Sequence, residues 1–203
     1  MWRRFGMPSH DPTILIETSS ETERELFRWS RQRYEDLVSA GLIEEGTRVE
    51  LLDGYIVYMP VQNPRHSVAG ELTREALDRA FDGGFHVRSQ RPLALDDFSE
   101  PEPDIAVVIG EPRDYVHRHP NGAVLIVEIS DTTLTKDRGP KLRAYARSLI
   151  PEYWIVNLPD QQLEVYRQPE SETYRVQRVL RPGEALSLLA RSNTQVKVAD
   201  LLP

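Results

Sequence analysis

Short apolar runs alternate with longer amphipathic stretches along the chain. Residues 105–109 and 123–129 are apolar at nearly every position, so both predict central strands covered by helices on each side. Residues 153–156 predict a third apolar strand. Residues 49–52 and 55–58 flank Asp53-Gly54, a pair suited to a tight turn with positive φ, and predict a hairpin. Residues 85–90 and 92–95 are strand-like; 163–166 and 174–176 alternate and predict outer strands. Three helices are expected. The first, over 30–40, carries Tyr34, Leu37 and Val38 on one face and ends at Gly41. The second, over 65–81, turns Val68, Ala69, Leu72, Ala76 and Ala80 inward and closes at Gly83-Gly84. The third, over 137–150, places Pro140 in its first turn. Residues 1–28 read as a polar arm, and residues 186–201 as a final strand with a docked Leu-Leu end. The expected architecture is one α/β domain over 29–203, a mixed central sheet flanked by helices.

Composition narrows the function. A chain of 203 residues can bury a sizeable core. No apolar run approaches the roughly 18 residues of a membrane span, and the first residues lack a signal peptide's apolar region. The absence of cysteine excludes disulfides, thiolate zinc sites and a cysteine nucleophile, and fits a cytoplasmic location. The net charge of -7 argues against a protein that coats nucleic acid, but not against an enzyme that touches it locally. Arginine outnumbers lysine 22 to three, a bias typical of GC-rich coding, so Lys136, Lys141 and Lys197 each merit attention.

The candidate chemistry is in carboxylates. Asp104 opens one central strand and Glu128 is next to last in the other. If the two strands are antiparallel neighbours, these side chains stand side by side, roughly 5 Å apart at the backbone. Two acids forced together raise a pKa or recruit a cation, and Mg2+ suits oxygen ligands. A buried acid after Val-Leu-Ile-Val is costly unless partnered, so Glu128 is the more informative of the two. Asp137, Lys141 and Tyr145 are spaced four apart and share a helix face close to Glu128. By spacing alone, Asp137 and Lys141 read as an ordinary helix pair.

The segments Glu102-Pro103-Asp104-Ile105, Val127-Glu128-Ile129-Ser130, then Asp137, Lys141, Tyr145 and Glu152-Tyr153-Trp154-Ile155-Val156 together form one pattern. The pattern resembles a family of bacterial putative restriction endonucleases in the PD-(D/E)xK nuclease superfamily. Glu50 with Asp53-Gly54, His66 and Gln90 agree with it. The resemblance implies a mixed sheet flanked by helices and hydrolysis of DNA phosphodiester bonds. It implies a Mg2+ ion, with Mn2+ as substitute, held by Asp104 and Glu128; a homodimer is expected because cutting two strands with one site per chain is simplest as a symmetric pair. Glu50 is a candidate for a second ion, Gln90 for a hydrogen bond to water or phosphate, and His66 for proton transfer or a plain surface role. The superfamily's lysine stands two residues after the glutamate, where this chain has Ser130. The resemblance moves that role to Lys141. Lys136, expected in a loop, is the other candidate. His86, His117 and His119 lack ligand spacing, and His117 and His119 are expected in a solvated loop. A rival reading is a weak or inactive nuclease-like domain that binds nucleic acid or protein. The acidic charge and Ser130 favour the rival; the retained Asp104, Glu128 and Lys141 favour the enzyme.

Overall fold

The structure, a computed structural model, describes residues 26–203. Most of the polar arm expected over 1–28, and His10, lie outside the described residues. The first half contains α1 (Arg31–Ser39), β1 (Val49–Leu52), β2 (Tyr55–Tyr58), α2 (Pro64–Ala80), β3 (Phe85–Ser89) and β4 (Ile105–Ile109). The second half contains β5 (Leu125–Ser130), α3 (Leu134–Lys136), α4 (Leu142–Arg147), β6 (Glu152–Asn157), β7 (Gln162–Glu170), β8 (Thr173–Leu180), β9 (Ala185–Ser187) and β10 (Gln195–Lys197). Six strands pair in the order β3-β4-β5-β6-β7-β8. Only β5 and β6 run parallel, joined through α3 and α4, so the sheet is mixed as expected. Hairpins β1-β2 and β9-β10 stand apart from it. Among the described residues no helix is long and apolar enough to cross a membrane.

The apolar strands are buried on both faces, for the reason their sequence suggests. One face packs Ile105, Val107, Leu125, Val127 and Trp154 against Ala69, Leu77 and Ala80 of α2 and the chain's last turn. The other packs Ala106, Val108, Ile126 and Ile155 against Tyr145, Ala146 and a cluster of Tyr153, Tyr166 and Tyr174. Fully burying one such side chain is worth about 1.5–3 kcal/mol, which favours this sheet order over a slipped register.

Three expectations need correction. Val68 is 48% exposed, and the inward face of α2 uses Leu77 and Thr73 instead. Residues 92–95 are not a strand. They run as an extended strap whose amides bond to Pro101, Pro120 and Ser99, with Leu93 fully buried beneath. The third helix begins earlier, at Leu134, and breaks at Gly139 (φ -112°, ψ -106°) before continuing to Arg147. Pro140 causes the break: a residue before proline is disfavoured from helical geometry, and proline offers no amide to the ladder.

The β1-β2 turn is the one expected, with Asp53 at φ 52° and Gly54 at φ 83°. A Cβ on Gly54 would stand 2.8 Å from the Arg28 Cβ. Gly70, inside α2, has ordinary helical φ and open space around it. The two glycines therefore respond oppositely to alanine. Gly54→Ala is expected to destabilise by about 1–3 kcal/mol, and Gly70→Ala to stabilise by up to about 1 kcal/mol, both read from urea unfolding. Arg147 at the end of α4 fastens this turn, through Asp53 (2.6 Å), Asp96 (3.0 Å) and Glu172 (3.1 Å). The hairpin is thereby held against the helix that carries Tyr145.

Candidate active site

The site forms where β4 begins and β5 ends. Their antiparallel register pairs Ile105 with Val127, so the next pair outward is Asp104 and Glu128. The Asp104 amide lies 3.4 Å from Glu128 Oε2, and the Ile129 amide donates to Asp104 Oδ2 at 2.8 Å. The juxtaposition expected from the sequence is present.

The broken helix keeps its shared face. Asp137, Lys141 and Tyr145 are all buried. Lys141 Nζ donates to Glu128 Oε1 at 2.8 Å, and the Tyr145 hydroxyl donates to the same oxygen at 2.5 Å. Asp137 Oδ2 accepts from Ser130 and Thr133, both at 2.5 Å. The serine at the superfamily's lysine position thus holds the first turn of the helix that brings in Lys141.

Glu50, fully buried on β1, enters from the hairpin. Its Oε1 accepts from Lys136 at 2.5 Å and its Oε2 from the Glu102 amide at 3.0 Å; Lys141 Nζ stands 3.7 Å from Oε2. Lys136 is therefore not a loop bystander. It ends α3 with its ammonium in the site. His66, in the first turn of α2, is not a plain surface residue either: its Nε2 lies 3.2 Å from Asp104 Oδ2 and its Nδ1 is buried without a partner. Gln62 and Gln90 both reach Asp104 Oδ1 at 3.4 Å. Gln90 does so from a left-handed backbone (φ 49°), a conformation costly for a residue other than glycine. All five candidates, Glu50, Gln90, Asp104, Glu128 and Lys141, thus meet at one place.

The electrostatics follow from the crowding. Burial pushes Glu128 up to about 8; Lys141 opposes this, while Asp104, Asp137 and Glu50 add to it. Asp104 is also penalised by burial, but His66, Lys141 and the Ile129 amide outweigh the penalty and hold it below the usual carboxylate range. Glu50 is likewise lowered, burial being outweighed by Lys141 and Lys136. Burial works against the charge on Lys141, yet Glu128, Glu50, Asp137 and Asp104 together raise its pKa, so it keeps its proton.

A divalent cation suits this donor set. Six carboxylates line the cleft (Glu50, Glu102, Asp104, Glu128, Asp131 and Asp137) against three cationic side chains, Arg48, Lys136 and Lys141. Asp104 Oδ1 and Glu128 Oε2 have only long, weak hydrogen bonds, which leaves one oxygen of each acid available. The enclosed space, about 60 Å3, accommodates an ion and a few waters. Among the described residues no three His, Asp or Glu side chains already converge as a metal centre. Both Glu50 oxygens are engaged by protein donors, Oε1 by Lys136 and Oε2 by the Glu102 amide.

Sequence reasoning undervalued His66 and Lys136. Both are brought in from a distance, His66 to a strand 38 residues later and Lys136 to a hairpin 86 residues earlier. The available signal was the scarcity of lysine itself: two of the three lysines occupy this cleft.

A family model described as "Putative restriction endonuclease", Uma2, matches residues 31–199. Among solved structures, a putative nuclease of DUF820 from Anabaena variabilis is similar in fold. The TM-score is 0.64 at 18% identity, over 80% of this chain and 94% of that chain. No curated protein matches the chain. With the shared fold, the paired acids and a family match over most of its length, this chain belongs to the Uma2 family of putative restriction endonucleases, nuclease-like proteins of the PD-(D/E)xK kind.

Proposed function

We propose that the protein is a Mg2+-dependent endonuclease that hydrolyses DNA phosphodiester bonds, with Asp104 and Glu128 as the ion's carboxylate ligands. The observation that carries this reading is the meeting of two strand-end acids with a buried lysine in a cleft of excess negative charge. When bound, the divalent ion supplies positive charge against the phosphate and lowers the pKa of a water. Lys141 adds a fixed cation beside Glu128 and is placed to counter charge gathering on the phosphate. Tyr145 and Lys141 together fix the Glu128 carboxylate, and His66 with the Ile129 amide fixes that of Asp104. Gln90 and Gln62, each 3.4 Å from Asp104 Oδ1, are uncharged donors for a phosphate oxygen or a water. Glu50 positions Lys136 and Lys141. A cytoplasmic homodimer, one site per strand, is the simplest arrangement for cutting a duplex. The test is incubation of supercoiled plasmid with the protein in Mg2+, in Mn2+ and in EDTA. Nicking confined to the metal lanes is expected, and intact plasmid in all three lanes refutes the reading.

The rival, a nuclease-like module that binds without cutting, draws on one observation: Lys141 is already committed to Glu128 and Glu50. It separates from the enzyme by nucleic-acid binding without nicking in the same lanes.

A pH dependence follows from Glu128. Its folded-state pKa lies above its unfolded value, so between about pH 4.5 and 8 the folded state holds the extra proton. Stability of the metal-free protein therefore falls as pH rises through that window. Glu128→Gln is expected to flatten this fall in melting temperature. Binding of Mn2+ is expected to strengthen over the same window, because the ligand must lose its proton. Calorimetry at pH 6 and pH 8 checks this, and equal affinity at the two values counts against Glu128 as a ligand.

A further inference from the structure

A second hollow, about 290 Å3, opens beside the cleft and shares Gln62, His66 and Asp104 with it as walls. One side is a face of α2, where His66, Gly70 and Arg74 stand four residues, and so about 6 Å, apart. The other side is the end of the edge strand β3, with Ser89 and Gln90. The left-handed backbone at Gln90 follows that strand, and the Gln90 side chain reaches Asp104. The hollow thus extends the cleft from Asp104, and neither Lys136 nor Lys141 lines it.

Its chemistry differs from that of the cleft. Six carboxylates line the cleft, whereas here Asp104 is joined by Glu71 alone. The rest of the wall offers neutral donors, from Gln62, Ser67, Ser89 and Gln90, and one permanent cation, Arg74. Arg74 pairs with Asp78 at 2.6 Å and Glu71 at 3.8 Å, but its side chain is 42% exposed. Exposed pairs of this kind contribute little, so the guanidinium can turn to a phosphate without a large loss.

Gly70 is the informative residue. A glycine inside a helix lowers stability relative to alanine, and it has a use where the backbone must be approached closely. No protein atom creates that need: beyond the helix's own backbone, a Cβ on Gly70 would meet nothing within 4 Å among the described residues. What the missing side chain keeps clear is the hollow itself. We propose that this hollow is the track of the cleaved strand beside the scissile bond. The sugar-phosphate backbone runs from Asp104 over the bare helix at Gly70 and places a neighbouring phosphate on Arg74. The inference rests on the nuclease reading and adds to it the direction in which the strand leaves the site.

The test is binding of a fluorescein-labelled, mixed-sequence DNA duplex to the full chain, followed by anisotropy in Ca2+, which takes oxygen ligands as Mg2+ does. Gly70→Leu fills the hollow with a good helix former, so it is expected to melt no lower than the parent and to keep the parent's Mn2+ affinity in calorimetry. Its affinity for the duplex is expected to fall by about tenfold or more. Arg74→Gln is expected to weaken binding by about threefold to tenfold and to lower the slope of log affinity against log salt by about one. Arg79→Gln makes the same charge change on the same helix outside the hollow, and is expected to bind as the parent does. A parent that does not bind, parent-like binding by Gly70→Leu, a parent-like slope in Arg74→Gln, or equal losses in Arg74→Gln and Arg79→Gln overturns the proposal. Plasmid nicking in Mg2+ and Mn2+ judges the nuclease reading separately. A parent that binds, loses binding in Gly70→Leu and never nicks refutes that reading and keeps the hollow as a nucleic-acid groove.

Discussion

Asp104→Ala is expected to end plasmid nicking, by roughly a thousandfold or more, equivalent to about 4 kcal/mol of barrier. It is also expected to remove the rise in melting temperature that Mg2+ or Mn2+ gives the parent protein. A ligand that binds only the folded state stabilises it by mass action, and a lost ligand oxygen removes that gain. The stability of the metal-free variant makes the prediction sharper. From the sequence, two repelling acids suggest that removing either one relieves strain. The structure separates them. Asp104 is held in its charged form by His66, Lys141 and the Ile129 amide, so alanine leaves donors facing nothing. A cost of about 1–3 kcal/mol is expected. Glu128 is the strained partner, raised by burial and by its acidic neighbours, so Glu128→Gln is expected to stabilise the metal-free protein at pH 8. Thermal melts in EDTA and in Mn2+, run beside the nicking assay, check both halves. An Asp104→Ala protein that still responds to Mn2+ as the parent does would falsify the assignment.

Lys141→Ala is expected to be comparably damaging for a different reason. Its ammonium is buried between Glu128 and Glu50 and keeps its proton throughout the neutral range. It therefore acts as a fixed positive charge and not as a base. Alanine leaves buried carboxylates unpaired, at an expected cost of about 3–5 kcal/mol, and removes the cation beside the phosphate. Nicking is expected to fall by roughly a thousandfold. Mn2+ binding is expected to survive, since an ammonium is not a ligand and its loss makes the cleft more negative. Lys141→Arg is expected to rescue little, because the guanidinium is larger and has a different shape. Lys136→Ala is near neutral on the sequence reading. Its contact with Glu50 changes the expectation to a partial loss, of roughly tenfold. Nicking and melting curves for the three variants test this. A dead Lys136→Ala beside an active Lys141→Ala would exchange the two roles.

Much of this architecture was legible in the chain. Unbroken apolar runs mark strands buried on both faces, and Asp53-Gly54 marks a turn that needs positive φ at two successive residues. Burial and backbone sterics act locally, so residue order alone expresses them. For the same reason Asp104 and Glu128 were recognisable: once two apolar strands are antiparallel neighbours, the register puts the start of one beside the end of the other. Residues 92–95 look like a strand but form a strap, because no partner strand is available where Leu93 is buried. The helix break at Gly139 depends on a proline that the sequence also allows in a first turn, and only the position of the preceding turn decides between them. The remaining decisions belong to tertiary structure. Lys136 reaching Glu50, His66 reaching Asp104, and Arg147 tying the hairpin to α4 each join residues 38 to 94 positions apart. No periodicity encodes such pairs. They are selected by the cost of leaving a charge buried and unpaired, and that cost exists only after the sheet and its helices have closed around it.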